Sequence, residues 1–175
     1  MDKKHDRADM INRRFLLLAL PLVAAACGRT PSKFLVYRGP QVTRVLVFKE
    51  ARRMHLMHFD RALASFEIDL GFAPVGHKNF EGDGRTPEGE YLIDRRNPNS
   101  RFHLSLGISY PNEEDIARAL AAGKKPGGDI FIHGRPRLYQ NGQRDWTWGC
   151  IAVTDAEMEV IYSMVQDGTP ISIFP

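Results

Sequence analysis

From Arg44 onward the apolar residues of this chain fall in short runs, each closed by turn-forming residues before a long helix could grow. The runs are "RVLVFKE", "RRMHLMHF", "ASFEIDLGF", "GEYLIDRR", "RFHLSLGISY", "DIFIHG" and "TPISIF". Val45 and Val47, then Met54, Leu56 and His58, alternate with other side chains at period two, as half-buried strands do. "EGDGRTPEGEY" carries Gly82, Gly84, Pro87 and Gly89 and predicts a long connection in place of a tight hairpin. Two stretches read as helix. "NEEDIARALAAG" opens on Asn112 as cap, has acids in its first turn and stops at Gly123. In the second, Thr154 and Glu157 form a capping box, and Met158, Ile161, Tyr162 and Val165 recur at i, i+3, i+4 and i+7 before Gly168 and Pro170. Many strands and two short helices in 175 residues predict one mainly β domain, a curved sandwich or open barrel with the helices at its edge.

The formal net charge of +3 is unevenly placed. Lys3, Lys4, Arg7, Arg13 and Arg14 against Asp2, Asp6 and Asp9 account for +2 of it before Cys27, leaving +1 for the remainder. A body so nearly neutral offers little attraction to a phosphate backbone, which argues against nucleic acid as a partner. The basic start explains itself as an address. It precedes the apolar run "FLLLALPLVAAA", shorter than the roughly 20 residues that span a bilayer, and the run ends in small residues. Residues 1–26 therefore read as an export signal, and Pro21 within the run weakens the alternative of a core helix. "AAAC" resembles a bacterial lipoprotein box, with Cys27 as the lipidated residue and a membrane anchor, although Ala24 stands where Leu is usual. Arg13-Arg14 followed by Phe15 loosely resembles a twin-arginine signal. Residues 27–43, rich in Gly, Pro and polar side chains, read as a tether, and residues 44–175 as the folded domain.

Export gives the second cysteine its interest. In an oxidising compartment two cysteines would pair. With Cys27 consumed by lipid, Cys150 in "DWTWGCIAVTD" has no partner and stands as a free thiol in a polar, aromatic setting. A thiol attacks as thiolate, and at an ordinary pKa of about 8.5 it needs a base. Of the six histidines, His5 leaves with the signal, while His55 and His58 lie three apart on a strand and face opposite sides, so they share no metal. His77 falls in the glycine-rich connection and His103 mid-strand between Phe102 and Leu104; all four read as ordinary surface or packed side chains. His133 closes a strand and is followed at once by Gly134, a position suited to chemistry. Spacing alone does not establish that it meets Cys150, seventeen positions on across the loop that holds Arg135 and Arg144.

"IHG", then "TWGCIAVTD", an amphipathic helix and "DGTPISI" resemble the catalytic domain of the L,D-transpeptidases, the YkuD-like family, whose signature is His-Gly followed by Ser/Thr-x-Gly-Cys. "GRTPEGEYLI" and "GISYPNEEDIARA" extend the resemblance over roughly Val45 to Phe174, and "GCIAVTD" looks closer to the branch named after YafK. The resemblance implies a mostly β fold in which Cys150 attacks a stem-peptide carbonyl of peptidoglycan and His133 takes its proton, without cofactor or metal. It further implies Thr147 at the hydroxyl position, Gly149 and Cys150 N–H groups as oxyanion donors, and Gly134 orienting the imidazole through its carbonyl. Trp148 departs from the common His or polar residue, and Ala152 from a common Arg or Asn. Arg135 or Arg144 would then supply the missing substrate-binding charge. The acyl group would pass to an amine as a cross-link, or to water in a carboxypeptidase or amidase. A cell-wall-binding lipoprotein with a decayed site is the rival from another class. A zinc amidase lacks its His-Glu-x-x-His signature.

Overall fold

The computed structural model describes residues 32–135 and 142–175. The expected export signal, residues 1–26, and Cys27 lie outside the described residues. Eight strands form in chain order: β1 Arg44–Phe48, β2 Arg53–His58, β3 Arg61–Glu67, β4 Gly89–Asn97, β5 Ser105–Ile108, β6 Phe131–His133, β7 Ile151–Ala152 and β8 Pro170–Phe174. Helix α1 spans Glu113–Ala121 and α2 spans Asp155–Met164. The strands make one mixed sheet in the order β3-β2-β1-β8-β4-β5-β6-β7. β1, β2 and β3 are antiparallel neighbours, and β8 returns from the C-terminus to pair parallel to β1. β4 joins the two halves. Gly89–Leu92 pair with β8, and after a register shift between Ile93 and Arg95 the strand continues along β5. A shift of this kind bends a strand, so β4 is where the sheet curls.

The period-two reading is the buried pattern. Val45, Val47, Met54 and Leu56 are fully buried and join Ile93, Leu106, Ile132, Ile171 and Ile173 in one core, while His58 is half-buried with Nδ1 2.8 Å from the Gln41 carbonyl. Both helix starts carry their capping boxes, Asn112 with Asp115 and Thr154 with Glu157. The predicted stripe of α2, Met158, Ile161, Tyr162 and Val165, is buried against the sheet. "RFHLSLGISY" is strand only from Ser105, because His103 takes a left-handed φ of +71° and is drawn to Glu159 of α2, Nε2 to Oε1 2.8 Å. β7 escaped the sequence reading, since two residues give no period to detect.

The connection from β3 to β4 is long, as expected, and organised around two buried lysines. Lys78 Nζ meets Asp83 Oδ1 at 2.9 Å, and Asp83 also accepts the backbone N–H groups of Asn79, Phe80 and Arg85. Lys49 donates to the carbonyls of Gly76 and Thr86 and to Glu88. Residues 32–43 are extended and touch the fold: Phe34 lies 6.3 Å from the Tyr162 ring, and Val42 is buried.

Candidate active site

The last two strands of the sheet edge determine what faces what. β6 and β7 run parallel with Ile132 opposite Ile151 and His133 opposite Ala152. That register sets Cys150 beside Phe131, and side chains two apart on a strand share a face. His133 and Cys150 accordingly line one cavity of about 310 Å³, together with Asn97, Arg101, Phe102 and Asp129.

His133 is 3% exposed. Its Nδ1 lies 2.7 Å from the Gly134 carbonyl oxygen, which can only accept, so Nδ1 carries the proton and Nε2 keeps a free lone pair. The Phe102 ring stacks on the imidazole at 4.5 Å, and Trp146 meets it edge-on at 5.6 Å. Burial pushes the His133 pKa down to about 4, against the opposing pull of the Gly134 hydrogen bond. Cys150 is half-buried and its thiol donates to the Asp129 carbonyl at 3.6 Å. Burial raises the Cys150 pKa above the ordinary value, with a hydrogen bond from the Phe131 backbone and the Lys78 charge pulling the other way. At neutral pH the site therefore holds a thiol and a neutral imidazole, and no hydrogen bond joins the two among the described residues.

The turn before β7 is held by Thr147, itself buried. Its Oγ1 accepts the Gly149 N–H at 3.1 Å and donates to the Cys150 carbonyl at 2.7 Å. Of the two N–H groups expected as oxyanion donors, that of Gly149 is thus bonded to Thr147, and that of Cys150 has no protein acceptor among the described residues. Gly149 has φ +119°, and a Cβ there would lie 2.5 Å from the Arg85 carbonyl oxygen, so glycine is required for backbone and space alike. A Cβ at Gly134 would strike Asp155 Oδ1 and the Phe102 carbonyl, which is how closely the chain passes behind the imidazole.

Other expected residues fall elsewhere. Trp148 is 72% exposed, stands edge-on to Phe72 at 4.9 Å, and walls a neighbouring cavity with Lys78, Glu81 and Asp129. Arg135 pairs with the buried Asp69, and Arg144 pairs with Glu67 and approaches Asp69 at 3.8 Å. Both arginines line a separate cavity on the Glu67–Asp69 side, so neither joins Cys150 and His133. Ala152 is fully buried, its N–H and C=O both bonded to the Asp69 backbone at 2.9 Å, and it lines the same cavity as the two arginines. The sequence reading missed Phe102, Asp129 and Arg101. Phe102 reads in the sequence as an ordinary strand residue, Asp129 contributes a backbone carbonyl that its residue type does not advertise, and Arg101 lies far along the chain from both reactive groups.

A mostly β sheet that delivers a thiol and a neutral imidazole to one cavity is the class of protein in hand. The L,D-transpeptidase catalytic domain family, YkuD, matches residues 42–173, and the chain belongs to that family. YafK of Escherichia coli (strain K12) is 27% identical over 144 residues, covering 75% of this chain and 53% of the relative. The crystal structure of the helical cell shape determining protein Pgp2 from Campylobacter jejuni aligns with a TM-score of 0.60 and 29% identity, over 80% of this chain and 50% of that one. An L,D-transpeptidase from Mycobacterium smegmatis shares the fold at a TM-score of 0.53 and 13% identity, over 77% of this chain and 59% of that one. The chain spans about half the length of the curated relatives it matches.

Proposed function

We propose that this chain is a peptidoglycan-modifying cysteine acyltransferase of the L,D-transpeptidase type, exported and anchored through a lipid on Cys27. The observation that carries the reading is the shared cavity of Cys150 and His133, with the imidazole held in the tautomer that presents Nε2 as base. Cys150 Sγ leaves the Asp129 carbonyl and attacks the carbonyl on the L-centre side of an L–D amide in a stem peptide. Its proton passes to Nε2. The oxyanion meets the Cys150 N–H, and one such donor is worth about 10²- to 10³-fold in rate. The C–N bond then breaks, and the imidazolium returns the proton to the departing amine of the D-amino acid, leaving a thioester on Sγ.

In the second half an amine attacks the thioester, its proton goes through Nε2 to the sulfur, and the new amide is the cross-link. Water in place of the amine gives the carboxypeptidase or amidase reaction by the same steps. Because both groups start neutral, the proton moves during the attack, so His133 serves as general base to a thiol. A carbapenem, whose β-lactam carbonyl is an activated amide, tests the assignment directly. Mass spectrometry should find a one-to-one adduct on Cys150 in the wild type and none in Cys150→Ala, with His133→Ala slowed by about 10²-fold or more. Defined muropeptides incubated with the wild-type chain would show by product mass whether amine or water is the acceptor. Turnover retained in Cys150→Ala would end the reading.

A further inference from the structure

Many members of the family carry an arginine after the nucleophile, but Ala152 holds that position here, and Arg135 and Arg144 are paired with acids in another cavity. The cavity of Cys150 and His133 nevertheless contains a cation. Arg101 lines it, is exposed, and makes no ion pair or hydrogen bond through its guanidinium among the described residues. The other cations nearby are committed. Arg95 is paired with Asp94 and Asp129 and lies over the Phe131 ring, Lys78 is bound to Asp83, and Lys33 donates to two backbone carbonyls. Asp129, the one carboxylate of the lining, faces Arg95. The cavity is thus left with a single uncompensated positive charge.

The backbone that carries Arg101 is held in place from both sides. Lys33 Nζ donates to the carbonyls on either side of it in sequence, Pro98 at 2.7 Å and His103 at 3.1 Å. Ser100 Oγ accepts the Phe102 N–H at 3.1 Å, and the Phe102 carbonyl accepts the Gly134 N–H at 3.0 Å. His103 is held by Glu159, and the ring of Phe102 rests on the imidazole. The backbone of Arg101 is therefore tied, one residue away, to the face of the His133 imidazole. At about 310 Å³ the cavity sits near the lower end of the roughly 300–1,000 Å³ common for small-molecule sites.

We infer that Arg101 is a specificity-determining residue whose guanidinium binds the free C-terminal carboxylate of the donor peptide. The inference rests on the acyl-transfer reading above and assigns a residue of this chain to donor selection at the same site. In a peptide whose last residue is a D-amino acid, the carboxylate is separated from the scissile nitrogen by one carbon, and a planar guanidinium can take its two oxygens together.

The test compares a synthetic stem tetrapeptide ending in a D-amino acid with its C-terminal carboxamide, using the wild-type chain, Arg101→Gln and Arg101→Lys. The wild type should prefer the free acid. Arg101→Gln should lower kcat/KM for the acid by about 10- to 100-fold, chiefly through KM, and leave the carboxamide within about twofold, so the preference collapses. Arg101→Lys should recover part of it. Alkylation of Cys150 by iodoacetamide, a neutral probe, should proceed equally in all three chains and report an intact thiol. Equal losses on acid and carboxamide, or no loss on either, would overturn the inference. If the wild type alkylates normally yet turns over neither peptide, the acyl-transfer reading fails and takes this inference with it.

Discussion

Acidification from pH 7 to about pH 5 should cost this fold roughly 2 kcal/mol through one side chain, His133. The imidazole is 3% exposed, stacked under Phe102 and beside Trp146, and among the described residues its one polar contact is to the Gly134 carbonyl. Burial therefore holds its pKa down to about 4, against 6.5 in the unfolded chain. Between those values the unfolded chain binds a proton that the folded chain refuses, so stability rises with pH across the window. The contribution is fully present above 6.5 and is lost as the pH falls through 4, a total of about 3 kcal/mol at about 1.4 kcal/mol per pH unit. Asp83 does not obscure the window. Burial pushes its pKa up, but the Lys78 hydrogen bond and three backbone N–H groups outweigh that and hold it below 3.8. Urea unfolding followed by tryptophan fluorescence, at half-unit steps from pH 7 down to about 4.5, would give the curve. His133→Gln, which keeps a donor toward Gly134 but does not titrate, is the reference. The difference between the two curves should open by about 2 kcal/mol at pH 5. Parallel curves over that range would refute the claim that a buried neutral imidazole is what the site contains.

Thr147→Val removes the hydroxyl that bridges the Gly149 N–H and the Cys150 carbonyl, leaving both short of a partner. It should destabilise the fold by about 2–4 kcal/mol in urea, with Thr147→Ser recovering most of the loss, and a wild-type midpoint in Thr147→Val would dismiss the bridge. For the proposed anchor, labelled palmitate should appear on the wild type and vanish in Cys27→Ala, and label that persists would remove the lipid from Cys27.

How much of the site was legible depended on whether the chemistry sat in a local pattern. His133-Gly134 and Thr147-x-Gly149-Cys150 could be read because each is a few consecutive residues whose types declare their use. The two capping boxes were read for the same reason, since Thr154 and Glu157 interact across one turn. The arginines were misplaced for the opposite reason. Arg135 and Arg144 are near Cys150 in sequence, but Asp69 and Glu67, brought up from the other end of the domain, draw them into a different cavity. The bond between the Gly149 N–H and the Thr147 hydroxyl was not legible either, because it depends on how the turn before β7 folds.

By itself the sequence determined the element types, the alternating faces of β1 and β2, and the two residues capable of nucleophile and base chemistry, because these follow from periodicity and from side-chain type over short spans. Only the tertiary structure decided that His133 and Cys150 share a wall, that the imidazole is buried with its pKa pushed down, and that Arg101 lines the same cavity. Those facts depend on the pairing of β6 with β7 and on the loop from Asn97 to His103 being tied down by Lys33 and Glu159, contacts between residues tens of positions apart. No local pattern encodes them, since each arises from the free energy of closing the whole sheet and not from any one segment.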